Sequence, residues 1–174
     1  MTTNQKGYFG EFGGSFVPPD LQNVLDILDE QFEKYKEDPN YFKKELSYIF
    51  NEDIRESLEV MINKIPDYFF TIPAASTGKY HPSYAQGDGG LVRHTKAAVR
   101  IAKELLGDAC IGDKYTQDEK DLMIMALILH DGVKSGVPKE KYTRFDHPIL
   151  MGKFILDNKD EIGLSKEDAT FMND

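Results

Sequence analysis

The feature that most constrains the fold is an unbroken run of eight apolar residues, LMIMALIL, at residues 122–129. A helix that is apolar on nearly all sides is normally buried at the centre of a helical protein. The preceding letters TQDE form a capping box, in which Thr116 and Glu119 satisfy backbone groups at the helix start. We therefore predict a central buried helix that ends at His130 and Asp131.

Helical periodicity also dominates the rest of the chain. Apolar residues recur at helical spacing from Leu21, between residues 42 and 65, between residues 91 and 105, and after Pro148. The segment TIPAASTGKYHPSYAQGDGG is rich in Gly, Pro, Ser and Thr and is predicted to be a loop. A loop of this length inside a compact domain is often functional. Strand signals are weak, so the predicted fold class is all-α.

Two further helix starts are predicted downstream. Pro148 is expected at the first helical position, which places His147 at or beside the N-cap. Ser165 and Asp168 are spaced as a cap for a short last helix.

Length, charge and cysteine content limit the function classes. A chain of 174 residues is long enough for one domain and an N-terminal appendage. Its net charge of −9 opposes non-specific binding to nucleic-acid backbones and to anionic membrane surfaces. The one cysteine, Cys110, excludes an internal disulfide and fits a reducing compartment, so the cytoplasm is the expected location. No segment has the roughly 18 consecutive apolar residues of a membrane span.

The histidines indicate a candidate site. All four lie between the long loop and the last full helix, at His81, His94, His130 and His147. Histidine and aspartate are ligands for Mn, Fe, Ni, Co, Zn or Mg ions, and adjacent residues such as His130 and Asp131 can both bind where a helix ends. Taken alone, His94 is more simply explained as a core histidine held by a hydrogen bond. His147 is equally well explained as a helix cap.

The spacing of these residues resembles a known family. The segments GKYHPSYAQGDGGLVRHTKAAVRIA, LILHDGVKSG and FDHP resemble the HD-domain superfamily of metal-dependent phosphohydrolases, over about residues 65–157. The resemblance implies an all-helical bundle that holds a divalent metal ion and hydrolyses a small phosphorylated substrate, with nucleotides or cyclic nucleotides as the leading class.

The resemblance also implies roles for individual residues. His94, His130 and Asp131 would be the metal ligands, and Asp131 would also orient the attacking water. Lys134 matches the lysine that an HDxxK pattern directs toward phosphate, and His147 would bind a second metal ion or the phosphate. In the long loop, Lys79 and His81 are expected near the mouth of the site, although a structural role is favoured for His81.

One departure from the family pattern leaves a second function open. The final metal-binding aspartate of HD domains lies on a later helix, and only Asp168 and Asp174 are available here, neither in the expected context. The alternative is a non-catalytic HD-like module that binds a nucleotide or a protein. A bundle incomplete at its C-terminus would expose apolar surface, and a homodimer covering that face is a hypothesis.

The N-terminal segment has a different resemblance. GYFGEFGGSFVPPDLQNVLDILDEQFEKYKEDPNYFKKEL, at about residues 7–46, resembles the N-terminus of the tryptophan synthase β subunit. The Schiff-base lysine motif and phosphate cup of that pyridoxal-phosphate family have no counterpart, so we expect no such chemistry. The letters STGKYH also lack the pattern of a P-loop. The prediction is a chimera with an arm at residues 1–49 and an HD-type helical domain at residues 50–174.

Overall fold

The computed structural model describes the backbone of residues 8–9 and 12–13 and the full residues 41–75 and 82–172. The chain divides into two compact units, residues 1–41 and 42–174. In the first unit, strand β1 (Tyr8–Phe9) pairs antiparallel with β2 (Phe12–Gly13). The helix predicted from Leu21 lies outside the described residues.

In the described part of the second unit, all regular secondary structure is helical, which confirms the predicted all-α class. Two 3-10 turns, η1 (Asp67–Phe70) and η2 (Ser83–Ala85), flank the gap in the long loop. The α-helices are α1 (Lys43–Leu46), α2 (Glu52–Lys64), α3 (Gly90–Gly107), α4 (Ala109–Gly112), α5 (Gln117–Leu129), α6 (His147–Asn158) and α7 (Lys166–Phe171). Within the described residues, none of these helices has the length and apolar character required to cross a bilayer.

Helix α5 is the centre of the unit, as its apolar run predicts. Leu122, Met125 and Ile128 are among its buried side chains, and the helix packs against both α2 and α3. The predicted capping box is present: Thr116 Oγ1 accepts from the Glu119 backbone N–H, and the Glu119 carboxylate accepts from the Thr116 backbone N–H. The end of α5 is therefore held in the interior, where it presents His130 and Asp131.

The predicted helical stretch at residues 42–65 forms two helices, because Asn51 starts a new one. Its side-chain oxygen accepts from the backbone N–H groups of Asp53 and Ile54. Phe42 and Ile49, which the sequence assigns to the arm, are buried within the second unit. The predicted start of the last long helix is wrong by one residue: α6 begins at His147, so Pro148 is its second residue. His147 lies beside the N-cap Asp146, as predicted. Terminal turns commonly shift in this way.

A buried carboxylate ties α5 to the start of α2. Asp121, 1% exposed, accepts hydrogen bonds from the backbone N–H groups of Phe50 and Asn51 at 2.8 and 2.7 Å. Its second oxygen accepts from Gln117 Nε2 at 2.7 Å. Since buried backbone N–H groups are costly to leave without an acceptor, this carboxylate fixes where α2 begins.

Replacing Asp121 with Asn is expected to lower the free energy of unfolding by about 2 kcal/mol, because the charge on the acceptor is lost and an amide NH₂ group faces a donor. Urea unfolding followed by circular dichroism measures this change. Asp118→Asn is the matched control on the same helix, since Asp118 is exposed and, within the described part of the chain, accepts a hydrogen bond from the Asn51 side chain. Equal effects for the two variants would contradict the structural role given to Asp121.

Candidate metal centre

The centre is built on the C-terminal end of α5. His130 is the C-cap residue and still has helical backbone angles, with φ −48° and ψ −36°. The chain then turns, and the adjacent side chains converge so that His130 Nε2 lies 3.3 Å from Asp131 Oδ2. Asp131 is buried while His130 is partly exposed. Two neighbouring residues therefore offer a nitrogen and an oxygen at one point.

Helix α3 supplies the third donor. His94 lies in its second turn, and its ring centroid is 6.3 Å from that of His130. One ligand atom from each of His94, His130 and Asp131 lies within 4.8 Å of the other two. Among the described residues, this is the group whose donor atoms converge closely enough for a metal ion. The structure thus brings together the three predicted ligands.

The loop before α3 is fastened by Arg93, the neighbour of His94. Its guanidinium donates to the backbone carbonyls of Tyr84, Gln86 and Asp88 at 2.6, 2.7 and 2.8 Å. These three carbonyls lie in η2 and in the loop between η2 and the helix start. The side chain therefore fixes the loop directly against the turn of α3 that carries His94.

Backbone carbonyls orient two of the histidine rings. His130 Nδ1 donates to the Leu127 carbonyl at 2.6 Å, and His147 Nδ1 donates to the Arg144 carbonyl at 2.6 Å. In each ring Nε2 is left to face Asp131, at 3.3 Å from His130 and 3.0 Å from His147. Metal-binding histidines are typically held in this way, with one ring nitrogen on a carbonyl and the other on the metal. The ring orientation therefore fits a metal ligand.

The donor set also has suitable chemistry. Two imidazole nitrogens and one carboxylate oxygen match divalent transition metals, and three protein ligands leave positions for water and substrate. His94, His130 and Asp131 would hold such an ion. His147 is placed against the other carboxylate oxygen of Asp131, where it borders the same centre.

The turn that presents His147 is held by an arginine fork. Arg144 donates to both carboxylate oxygens of Asp146 at 2.8 Å and to Glu140 at 2.5 Å. Its own carbonyl is the acceptor for His147 Nδ1, and its backbone N–H donates to the Lys134 carbonyl at 2.9 Å. The contact with His147 is local, whereas the contact with Lys134 depends on how residues 134–144 fold back toward the end of α5.

Lys134 lies in the interior and contacts Asp131. Its side chain is 10% exposed, and Nζ donates to Asp131 Oδ2 at 2.7 Å. The ammonium group therefore neutralises the carboxylate directly. The sequence-based prediction directs Lys134 to a substrate phosphate, and that role stays a prediction.

These contacts shift two pKa values in opposite directions. For Asp131, burial alone would raise the pKa, but His130 and Lys134 together hold the pKa of this carboxyl far below its ordinary range. For His130, burial alone would lower the pKa, but the hydrogen bond and charge of Asp131 outweigh it and raise the pKa above its ordinary value. Asp131 is therefore an anion at neutral pH, which is the state that binds a metal ion.

Tyr68 positions the turn after Asp131. No motif or spacing in the sequence indicates this role. Its hydroxyl accepts from the Ser135 backbone N–H and donates to the Gly136 carbonyl, each at 3.1 Å. Burial is the main cause that raises the pKa of this phenol, so it remains a hydrogen-bond donor. η1 is thereby joined to the turn that holds Asp131 and Lys134.

Asp168 does not join the described centre. Ser165 caps α7: the Asp168 backbone N–H donates to Ser165 Oγ at 3.0 Å, and the Asp168 carboxylate accepts from the same hydroxyl at 2.7 Å. This confirms the cap predicted from Ser165 and Asp168. Lys79, His81 and Asp174 lie outside the described residues.

Known proteins are similar to part of the chain. A tryptophan synthase beta chain from Fusobacterium nucleatum subsp. nucleatum is 45% identical over 69 residues, which cover 39% of this chain and 18% of that protein. That of Leptospira biflexa serovar Patoc is 46% identical over 48 residues, covering 28% of this chain and 12% of that protein. That of Bacillus pumilus is 34% identical over 65 residues, covering 37% and 16%.

The comparisons thus confirm the resemblance to the tryptophan synthase β subunit over part of the chain. The chain spans at most 18% of the length of these curated relatives. No family model matches the chain, and no solved structure matches it. The resemblance to HD domains stays a prediction that rests on the quoted motifs.

Proposed function

We propose that the helical unit is a divalent-metal-dependent hydrolase of phosphoesters. The observation that carries the proposal is the convergence of donor atoms from His94, His130 and Asp131 within 4.8 Å at the end of the buried helix α5. The motif spacing that resembles HD-domain phosphohydrolases supports the same chemistry. The small phosphorylated substrate is a nucleotide or cyclic nucleotide if the resemblance extends to substrate class.

The residues around the centre have separate tasks in this proposal. Asp131 accepts a hydrogen bond from the attacking water and so orients it toward phosphorus. His147 borders the centre, where its imidazole can contact a phosphate oxygen, and Lys134 offsets the charge of Asp131 so that an anionic substrate is not repelled. A bound divalent ion lowers the pKa of water and neutralises charge that develops on the phosphate oxygens.

The choice of metal follows from the ligands. Two imidazole nitrogens favour Mn, Fe, Ni, Co or Zn, whereas Mg prefers a shell of oxygen atoms. Metal content per chain, measured by inductively coupled plasma mass spectrometry, tests the centre directly. We expect near-stoichiometric metal in the unmodified protein and background metal in His130→Ala.

Asp168→Asn is the matched control for this measurement. Its carboxylate belongs to the α7 cap, so the variant is expected to keep its metal. A second assay follows Mn-dependent hydrolysis of bis(p-nitrophenyl) phosphate, which should disappear in His130→Ala. Loss of metal from Asp168→Asn, or retention in His130→Ala, would overturn the assignment of the ligands.

One observation favours the alternative of a non-catalytic binding module. Asp131 already has a cationic or protonatable partner on each oxygen, with Lys134 and His130 at Oδ2 and His147 at Oδ1. In such a network, the charge of Asp131 is balanced by side chains of the protein without a metal ion. The binding-module alternative predicts no Mn-dependent turnover and no metal in the purified protein. It also predicts nucleotide binding that calorimetry can detect.

We infer that the chain is a chimera, in which the N-terminal segment and the helical unit resemble different families. Part of the chain is similar to tryptophan synthase β chains, whereas the candidate centre lies in a segment whose motifs resemble another family. Absence of an absorbance band near that of a pyridoxal-phosphate imine after incubation with the cofactor is the expected result.

A further inference from the structure

A cavity of about 550 Å³ opens beside the candidate metal centre. Its walls come from α3, α5 and α6, with α4 and the residues after it at the rim. The residues that matter for its chemistry are Ala102, Ala126, Leu127 and His130 in the wall, and Ile111 and Tyr115 at the rim. The volume is within the range of small-molecule sites.

The lining is almost wholly apolar. Among the residues that line the cavity, His130 and Tyr115 are the ones with a polar group in the side chain, and none carries a permanent charge. A ligand that buries several donors and acceptors here would leave them without hydrogen-bond partners, which disfavours binding. The apolar lining therefore favours a ligand whose surface is hydrocarbon.

His130 joins the cavity to the centre. Its ring forms part of the cavity wall, while its Nε2 faces Asp131 at 3.3 Å. His130 is the residue that the cavity lining shares with the centre, so a substrate that reaches both must pass over this ring. The cavity is concave and open to solvent, so part of a small molecule can enter it.

We propose that the cavity binds the hydrocarbon part of the substrate, so that the protein acts on phosphoesters of apolar alcohols. This inference rests on the proposed hydrolase function and names its substrate class. It departs from the nucleotide class, because the polar edges of a nucleobase find few partners in this lining.

The experiment measures binding of n-alkylphosphonates, from methyl to octyl, to the Mn-loaded protein by isothermal titration calorimetry. These compounds carry the phosphate-like head group and are not hydrolysed. If the chain enters the cavity, each added methylene is expected to tighten binding about threefold to fourfold until the cavity is filled. Binding that does not depend on chain length would overturn the inference.

Matched variants test whether the dependence of binding on chain length arises in the cavity. Ala102→Leu adds bulk inside the cavity and should flatten the dependence on chain length, whereas methylphosphonate should bind as before. Ala109→Leu is the same substitution at an exposed residue that does not line the cavity, and it should keep the full dependence. If Ala102→Leu does not fold, as judged by circular dichroism, Ala126→Leu provides the same test from α5.

The outcomes separate this inference from the function on which it rests. Mn-dependent binding of all phosphonates with equal affinity keeps the hydrolase proposal and rejects the apolar substrate. No phosphonate binding, together with no metal in the protein, rejects both. Sedimentation velocity is run in parallel, because a dimer that dissociates on addition of octylphosphonate would show that a second copy fills the cavity, which also overturns the inference.

Discussion

Replacing Asp131 with Asn is expected to lower the free energy of unfolding of the metal-free protein by about 3 kcal/mol. Asp131 is buried and contacts Lys134 at 2.7 Å, and the Lys134 side chain is itself 10% exposed. The amide keeps the shape of the carboxylate but not its charge. The buried ammonium group then has no counter-charge on this residue, and the desolvation of that ion is no longer compensated. Urea unfolding in the presence of a chelator measures the loss.

The double variant Asp131→Asn/Lys134→Met separates the charge effect from a packing effect. Because it removes the uncompensated ion together with its partner, most of the lost stability should return. Lys134→Met alone should cost less than Asp131→Asn, since Asp131 keeps its contacts with His130 and His147. If the double variant is less stable than Asp131→Asn, the pairing of Lys134 with Asp131 is not the cause.

Gly90→Ala is expected to destabilise the protein by about 3 kcal/mol and to weaken metal binding. A Cβ atom at Gly90 would lie 2.2 Å from the Ala85 carbonyl oxygen and 3.1 Å from Pro73 Cα. Both neighbours are backbone atoms and cannot rotate away, so the start of α3 must move. His94 lies one turn further along this helix, so its donor atom would leave the centre. Thermal unfolding and metal content per chain measure the two effects.

Gly107→Ala is the matched control at the other end of α3. A Cβ atom there has no atom within 4 Å, so the change should be neutral or stabilise the helix by about 0.5–1 kcal/mol. Its metal content should equal that of the unmodified protein. A Gly90→Ala protein with unchanged stability would show that the close contact with Ala85 is relieved by a small movement of the loop.

Local signals in the sequence predict much of the helical unit. The capping box of Thr116 and Glu119 acts within one turn, so its effect does not depend on the rest of the fold. The apolar run at residues 122–129 requires burial wherever the helix lies, and it therefore predicts the centre of the unit. The errors are also local: α6 begins at His147, one residue early.

Long-range contacts could not be predicted in the same way. Asp121 has the pattern of an ordinary polar residue on a helix, yet it accepts from Phe50 and Asn51, which are about 70 residues away along the chain. Tyr68 likewise fixes the Ser135 backbone from η1. Nothing in the local sequence distinguishes these side chains from exposed ones, because their partners are brought near only when the helices pack.

For the candidate centre, the sequence by itself determined which ligand types are available and that His130 and Asp131 follow the most buried helix. Both facts depend on covalent order and on helical periodicity, which act over short distances. The carbonyls that orient His130 and His147 lie three residues before these rings, so those contacts are local. Only the tertiary structure decided that His94 meets that pair, that His147 faces Asp131, and that Lys134 is buried with Asp131. Each of these arises when α3, α5 and α6 exclude water from one another, since burial then forces polar groups to find partners within the protein.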